Sequence, residues 1–91
     1  MATPTNFAIL QNPVESELTV TALLNGKKIR VKKDFEFSIK ILDESGRLRM
    51  VRKSGKGSSE QKINTSYLSS GYYILEVIWN GEKQAIKFLK E

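Results

Sequence analysis

The strongest constraint on the fold is a pair of apolar-rich stretches joined by Asn80–Gly81, close to the C-terminal end. Residues 72–79 are two tyrosines and an apolar run that contains Glu76, and residues 82–90 mix apolar with polar residues. In a strand, side chains two residues apart share one face. Asn-Gly is the preferred pair for a two-residue type I′ hairpin turn, since both residues tolerate a positive φ. With that turn Leu75 lies opposite Ile86 and Tyr73 lies opposite Phe88. The sequence therefore predicts a hairpin that places these four side chains on one core-facing side.

The other side of this hairpin carries a mixture of apolar and basic residues. The same register places Tyr72 opposite Leu89, Ile74 opposite Lys87 and Ile78 opposite Lys83. Lysine stems can lie over apolar neighbours while the ammonium group stays in water. We therefore expect this second face to be half covered.

Alternation of apolar and polar residues is found along most of the chain. The stretches that predict strands are NFAIL (6–10, an edge strand), ESELTVTALL (15–24), KIRVK (28–32), DFEFSIKIL (34–42), RLRMVR (47–52) and EQKINT (60–65). About seven short strands, with turn signals every 8–12 residues, are typical of an immunoglobulin-like sandwich. The predicted fold class is therefore all-β, an immunoglobulin-like antiparallel β-sandwich.

The chain is short enough for one domain, since it has 91 residues. We predict a single β-sandwich over residues 9–91, with residues 1–8 as a tether remnant or edge strand and Thr3–Thr5 as the end of that tether. MATPTNF has neither the basic region nor the apolar region of a signal peptide. No apolar run approaches the roughly 18 residues that span a bilayer, so no membrane insertion is expected.

The residue types present argue against catalysis. The chain has no histidine and no cysteine, which excludes disulfides, thiol nucleophiles and a Ser–His–Asp triad. We expect no enzyme activity, no metal and no cofactor. Asp43 and Glu44 in the DESG stretch are conceivable calcium ligands, but a turn in which Asp43 caps its own backbone is the preferred interpretation.

The net charge of +5 is concentrated in two clusters, Lys27–Lys33 and Arg47–Lys56. In the second cluster, alternation predicts Leu48 and Met50 on the apolar face. The plain interpretation is a solvated outer face with lysines that guard sheet edges. The alternative is a surface for an anionic partner such as a polysaccharide. No nucleic acid is expected, since no aromatic residues interleave with these bases to stack on nucleotides.

Two aromatic residues invite structural predictions. In β-sandwiches a tyrosine near the start of a strand hydrogen-bonds back across the preceding corner, and Leu68, Gly71 and Tyr73 suit that device. Gly71 suits a corner that needs a positive φ. Trp79 is interpreted as a cap on the end of the core, with a sugar-stacking platform as the alternative.

Four segments, in order, carry a family resemblance: LQNPVESELTV (10–20), IKILDESGRL (39–48), INTSYLSSGYYILEV (63–77) and KQAIKFLKE (83–91). Together they resemble the C-terminal sorting domain of proteins exported by the type IX, or Por, secretion system of Gram-negative bacteria. The resemblance runs from about residue 9 to residue 91. The positions that match its motifs are Asn12, Pro13, Leu18, Val20, Asp43, Gly46, Leu68, Gly71, Tyr73, Lys87, Phe88, Leu89 and Lys90. The chain departs from the family pattern at Gln11, where another proline is usual, and between residues 25 and 34.

The resemblance implies a folded, non-catalytic export signal at the end of a larger cargo protein. The precursor would reach the periplasm through a signal peptide outside this chain and be recognised by the outer-membrane translocon. In the family a sortase-like protease commonly removes the domain and joins the cargo to an anionic lipopolysaccharide at the cell surface, and some cargo is released. The implied recognition elements are Lys87–Lys90, Gly71 and Tyr73, with cleavage upstream of Asn12–Pro13.

Two other functions fit the same pattern. One is an immunoglobulin-like or fibronectin-like accessory module of a secreted enzyme, which spaces catalytic domains or binds polysaccharide. The other is a free-standing binder of acidic polymers that uses the basic strands. A terminal strand at a sheet edge would favour sorting, since its open backbone groups form a template for strand addition by a partner.

Overall fold

The computed structural model of the protein describes residues 6–91, which form eight β-strands in two antiparallel sheets. The predicted tether, Thr3–Thr5, lies outside the described residues. The strands are β1 (Asn6–Ile9), β2 (Glu17–Leu24), β3 (Lys27–Lys28), β4 (Ser38–Asp43), β5 (Leu48–Lys53), β6 (Glu60–Asn64), β7 (Gly71–Trp79) and β8 (Glu82–Lys90). The prediction of an all-β, immunoglobulin-like sandwich is confirmed. Residues 6–91 contain no helix that could cross a membrane.

The first sheet is built around β2. Strand β1 pairs with one edge of β2, while β3 and β6 share the other edge. The second sheet has the order β5-β4-β7-β8, so β5 and β8 are its two edge strands. The predicted strand at residues 6–10 is thus an edge strand of the first sheet.

The core lies between the two sheets and is supplied by alternate residues of their strands. The first sheet contributes Leu18, Val20 and Ala22 from β2, all fully buried. The second contributes the equally buried Ile39, Ile41 and Leu75, together with Val77 and Phe88. Burial of one such large side chain stabilises a fold by about 1.5–3 kcal/mol, so the period-two pattern of the sequence places the residues that contribute most to the core.

The C-terminal hairpin has the predicted register. Leu75 pairs with Ile86, Tyr73 with Phe88, and Ile74 with Lys87. Asn80 and Gly81 have φ values of 52° and 77°, as a type I′ turn requires. The local chemistry of the turn therefore sets the alignment of the two longest strands.

The prediction that Leu48 faces the core is wrong. The register between β4 and β5 shifts after Ile41, so that Met50 pairs with Ile41 while Leu48 pairs with Leu42. This bulge reverses the alternation around Arg49, because an inserted residue changes which face each neighbour occupies. Met50 is buried, whereas Leu48 is 52% exposed on the outer face.

The predicted boundaries of two other strands are also wrong. Of the basic stretch KIRVK only Lys28 is in a strand, because β6 occupies the edge of β2 that a longer β3 would need. In the DFEFSIKIL stretch the strand, β4, begins only at Ser38. The Phe35 N–H instead donates to the Lys32 carbonyl at 3.0 Å, which closes a turn before β4.

Candidate recognition site at the terminal strand

Strand β8 is an edge strand whose last residues are covered by an N-terminal arm, which we define as Asn12–Val14. The Val14 N–H donates to the Leu89 carbonyl at 2.7 Å, and the Glu91 N–H donates to the Val14 carbonyl at 2.9 Å. The Leu89 N–H donates to Asn12 Oδ1 at 3.1 Å. Val14 is fully buried, so the arm is anchored by packing as well as by these bonds. The first and last motifs of the family resemblance therefore meet in space.

A second contact joins the start of β8 to β1 of the first sheet. The side chain of Gln84 accepts a bond from the Phe7 N–H at 2.9 Å and donates to the Phe7 carbonyl at 2.8 Å. The amide group thus pairs with the backbone of β1 as a neighbouring strand would, and it ties β8 to β1 of the opposite sheet. The sandwich is closed along this side by side chains and by the arm.

Before the arm, part of the β8 edge stays open. The N–H and C=O groups of Leu89 point away from β7, since they bond to the arm. Backbone groups along an antiparallel strand alternate in direction, so those of Lys83, Ala85 and Lys87 also point outward. Within residues 6–91 no group pairs with them. The terminal strand therefore offers these three residues for direct backbone pairing.

The corner before β7 is held by Tyr73, as predicted. The Tyr73 hydroxyl donates to the Ser69 carbonyl at 2.7 Å, and it lies 3.3 Å from Ser69 Oγ. The ring is buried and stacks on Phe88 with centroids 5.7 Å apart. Leu68 is buried beside this corner. One side chain thus connects the corner to the terminal strand.

Gly71 adopts a φ of 147° at the first position of β7, which confirms the predicted positive value. Side chains strain the backbone in this region of φ. The next N–H, that of Tyr72, donates to Glu44 Oε1 at 3.3 Å. The Asp43–Gly46 turn and the corner therefore lie side by side and form a shallow cleft.

The Asp43–Gly46 turn is organised by the Asp43 carboxylate. Its Oδ1 accepts bonds from the N–H groups of Arg47 and Ser45 at 2.9 and 3.0 Å, and from the Ser45 hydroxyl at 2.9 Å. The Gly46 N–H donates to the Asp43 carbonyl at 2.9 Å. The bond from the Arg47 N–H is the main reason that the pKa of Asp43 lies below its ordinary value, and the bonds from Ser45 lower it further. The preferred interpretation, a turn that Asp43 caps, is confirmed.

The strand registers show which of the motif residues come together. Asp43 pairs with Tyr73, and Gly71 pairs with Lys90, so both turns and the end of β8 lie at one end of the second sheet. Asn12 reaches the same end through Leu89. By contrast, Leu18 and Val20 are fully buried in the first sheet, where they can act only through the fold. Pro13 is exposed between Asn12 and the buried Val14.

The four residues of the last motif differ in accessibility. Lys87 is exposed and its ammonium lies 4.7 Å from the centre of the Tyr72 ring. Phe88 is buried in the core, and Leu89 is half buried on the outer face. Lys90 is buried, with Nζ donating to the Glu91 carbonyl at 2.7 Å. Lys87 and Leu89 are therefore the two side chains of this motif that a partner can reach.

Some residues that build this site were missed by sequence reasoning. Gln84 had a detectable signal, since it is a polar residue opposite Val77 on the face of the hairpin that otherwise carries core residues. Gln11, which departs from the family pattern, accepts from the Thr19 N–H at 2.8 Å and donates to Thr19 Oγ1 at 3.1 Å. The anchoring role of Val14 had no signal, because it depends on a contact with the far end of the chain.

Two further sequence expectations concern the acidic side chains and Trp79. Within residues 6–91 no three acidic side chains gather where they could hold a metal ion. Trp79 is half buried and packs 5.5 Å from the Phe35 ring, at the end of the core. This agrees with its interpretation as a core cap.

A comparison with curated proteins gives no match for this chain. A comparison with family models gives a match to the secretion system C-terminal sorting domain over residues 9–91, nearly the whole chain. The match covers the arm, the Asp43–Gly46 turn, the Tyr73 corner and the terminal strand. The chain therefore belongs to the family of type IX secretion C-terminal sorting domains.

Proposed function

We propose that the outer-membrane translocon recognises this domain in its folded form at the end where the arm holds the terminal strand. Membership of the family makes the chain a sorting signal of larger cargo proteins destined for the outer-membrane surface or the extracellular space. The recognised elements would be the arm, the exposed side chains of Lys87 and Leu89, and the corner at Gly71 and Tyr73. Gly71 and Tyr73 would act mainly by shaping that end.

The observation that carries the proposal is the bonding of Asn12 and Val14 to Leu89. The two ends of the matched region form one surface only when the sandwich is folded. Such a surface would let the machinery distinguish a completed domain from an unfolded chain. The open backbone groups of Lys83, Ala85 and Lys87 would add a short site for strand pairing.

After recognition, we propose that the precursor, having passed through the periplasm, crosses the outer membrane. A sortase-like cysteine protease then cuts upstream of Asn12–Pro13. The cargo is joined to an anionic lipopolysaccharide or released. The domain itself contributes recognition and no chemistry to these steps.

The test is an export assay. The full chain is fused to the C-terminal end of a fluorescent protein that carries a signal peptide. The fusion is expressed in a bacterium with an intact type IX system and in one that lacks the translocon. We expect fluorescence outside the cell only in the first strain. Retention of a folded fusion in the periplasm of both strains would contradict sorting and favour an accessory module.

A matched pair of variants tests the recognised end. Asn12→Ala removes the acceptor of the Leu89 N–H, which weakens the junction by about 0.5–1.5 kcal/mol without removing core residues. Gln11→Ala removes two bonds to Thr19 from the neighbouring position and leaves β8 untouched. We expect Asn12→Ala to lower export several-fold more than Gln11→Ala, at matched thermal stability of the purified domains. Equal export of the two variants would count against the junction as the recognised element.

A further inference from the structure

The outer face of the second sheet carries a continuous apolar patch. The strand registers align Leu48, Leu42, Ile74 and Lys87 in one row across β5, β4, β7 and β8. Tyr72 and Leu89 form the neighbouring row on β7 and β8. We call this surface, with Val51 of the next row, the outer patch.

The outer patch is accessible. Leu48, Val51, Tyr72 and Ile74 are 52%, 48%, 47% and 40% exposed. They are four of the seven large hydrophobic side chains that are exposed within residues 6–91. The core lies on the opposite side of this sheet, and the arm covers only the edge of β8. The Lys87 ammonium lies over the Tyr72 ring, while the exposure of the other apolar side chains leaves the patch open. Gathered apolar surface of this kind marks interaction sites.

Lysines surround the outer patch. Lys40 and Lys53 lie on the same face of β4 and β5, and Lys83 and Lys87 lie on that of β8. The rows that these residues form contain one acidic side chain, Glu76, which already pairs with Lys83 at 3.7 Å. A second carboxylate, that of Glu44, lies beside Tyr72 and Ile74 at one end of the patch. Four lysines therefore face two carboxylates, and the rim carries a net positive charge around an apolar centre.

The area of the outer patch and the charge of its rim together indicate what kind of surface the partner has. Four strands spaced about 4.8 Å apart, over about six residues of 3.3 Å each, give a patch of roughly 300–400 Å². Stable protein interfaces need about 800 Å² on each side, with an apolar centre and a polar rim. The lysine rim must then belong to the interface. A second copy of this chain would oppose one lysine rim to another, which disfavours self-association.

We propose that the outer patch docks onto a folded protein of the export machinery whose own surface is apolar at its centre and acidic at its rim. The inference rests on the proposed function and adds a second contact, on the outer face of the second sheet, which shares Lys87 and Leu89 with the end of β8 and extends from them to Leu48 and Val51. Strand pairing holds the side chains of the patch in fixed positions, which suits a preformed protein surface.

The experiment uses the exported fusion with substitutions in the outer patch that keep strand propensity. Leu48→Thr with Ile74→Thr tests the apolar centre, and Lys53→Glu tests the rim. The matched controls, Leu24→Thr and Lys62→Glu, lie at exposed strand positions of the first sheet. We expect about tenfold lower export for the patch variants and unchanged export for the controls, with all purified domains folded.

Photo-crosslinking identifies the occupant. A benzophenone amino acid at position 74 is expected to form an adduct with one protein of the cell envelope, and the same group at position 24 is not. The adduct should decrease several-fold with Lys53→Glu and at high salt, since the rim contact is electrostatic. Adducts only with lipid, with lipopolysaccharide or with a second copy of the fusion would overturn the proposal.

The two proposals fail in different ways. Export of the unsubstituted fusion together with undiminished export of the patch variants would overturn the docking surface and leave sorting intact. Retention of the unsubstituted fusion in the intact strain would contradict sorting, and the docking surface with it.

Discussion

Replacement of Tyr73 by phenylalanine isolates the hydrogen bond that holds the corner before β7. The hydroxyl donates to the Ser69 carbonyl at 2.7 Å, while the ring stacks on Phe88. Tyr73→Phe deletes the hydroxyl and keeps the ring, so the core packing is unchanged. The expected effect is therefore that of one hydrogen bond, about 1 kcal/mol of unfolding free energy.

This loss is measurable in a domain of this size. A change of about 1 kcal/mol shifts the melting temperature by roughly 4–8 °C in a domain of 60–100 residues. The urea midpoint should fall by about 1 M, since the dependence on urea is about 1 kcal/mol per molar for small proteins. Both transitions can be followed by far-ultraviolet circular dichroism on the purified domain.

Two controls separate this hydrogen bond from other effects. Tyr72→Phe removes a hydroxyl from a side chain that is 47% exposed, and its stability should change by less than about 0.5 kcal/mol. Ser69→Ala keeps the backbone acceptor and removes only the hydroxyl at 3.3 Å, so its effect should be equally small. An unchanged melting temperature for Tyr73→Phe, or a drop as large for Ser69→Ala, would refute the corner as the source of the stability.

Two further predictions concern the same end of the sheet. Gly71→Ala should destabilise the domain by about 1–3 kcal/mol, because the side chain would be forced to a φ of 147°. Gly55→Ala, at a position with open space around it, should have little effect, and equal losses in thermal melts would contradict this reason. Asp43→Asn should reduce the dependence of stability on pH. The pKa of Asp43 is lowered from 3.8 in the folded chain, so its carboxylate contributes stability that is fully present above that value and lost as pH falls through the lowered one. Urea unfolding between about pH 7 and pH 2 should show a larger loss of unfolding free energy in the parent chain than in Asp43→Asn. Parallel plots of unfolding free energy against pH for the two proteins would contradict the stabilising role of the capped turn.

Much of the candidate site was predictable because it depends on local chemistry. The Asn80–Gly81 turn sets the register of β7 and β8, since the turn geometry alone aligns the neighbouring residues. The cap by Asp43 and the bond from Tyr73 to Ser69 span only four residues. Interactions of this range are fixed by residue type and spacing, so the sequence pattern is sufficient to predict them.

The tertiary structure alone decided how the terminal strand is covered. The bonds from Leu89 to Asn12 and from Gln84 to Phe7 join residues 77 positions apart. The Leu48 side chain lies on the outer face because of a bulge between β4 and β5, which no periodic pattern reveals. Such contacts form only when both sheets pack, because the pairing partner comes from a distant segment. The sequence by itself determined the C-terminal hairpin, the Asp43 turn and most of the core, while tertiary packing decided the bounds of β3 and β4, which edge is closed and which apolar face stays open.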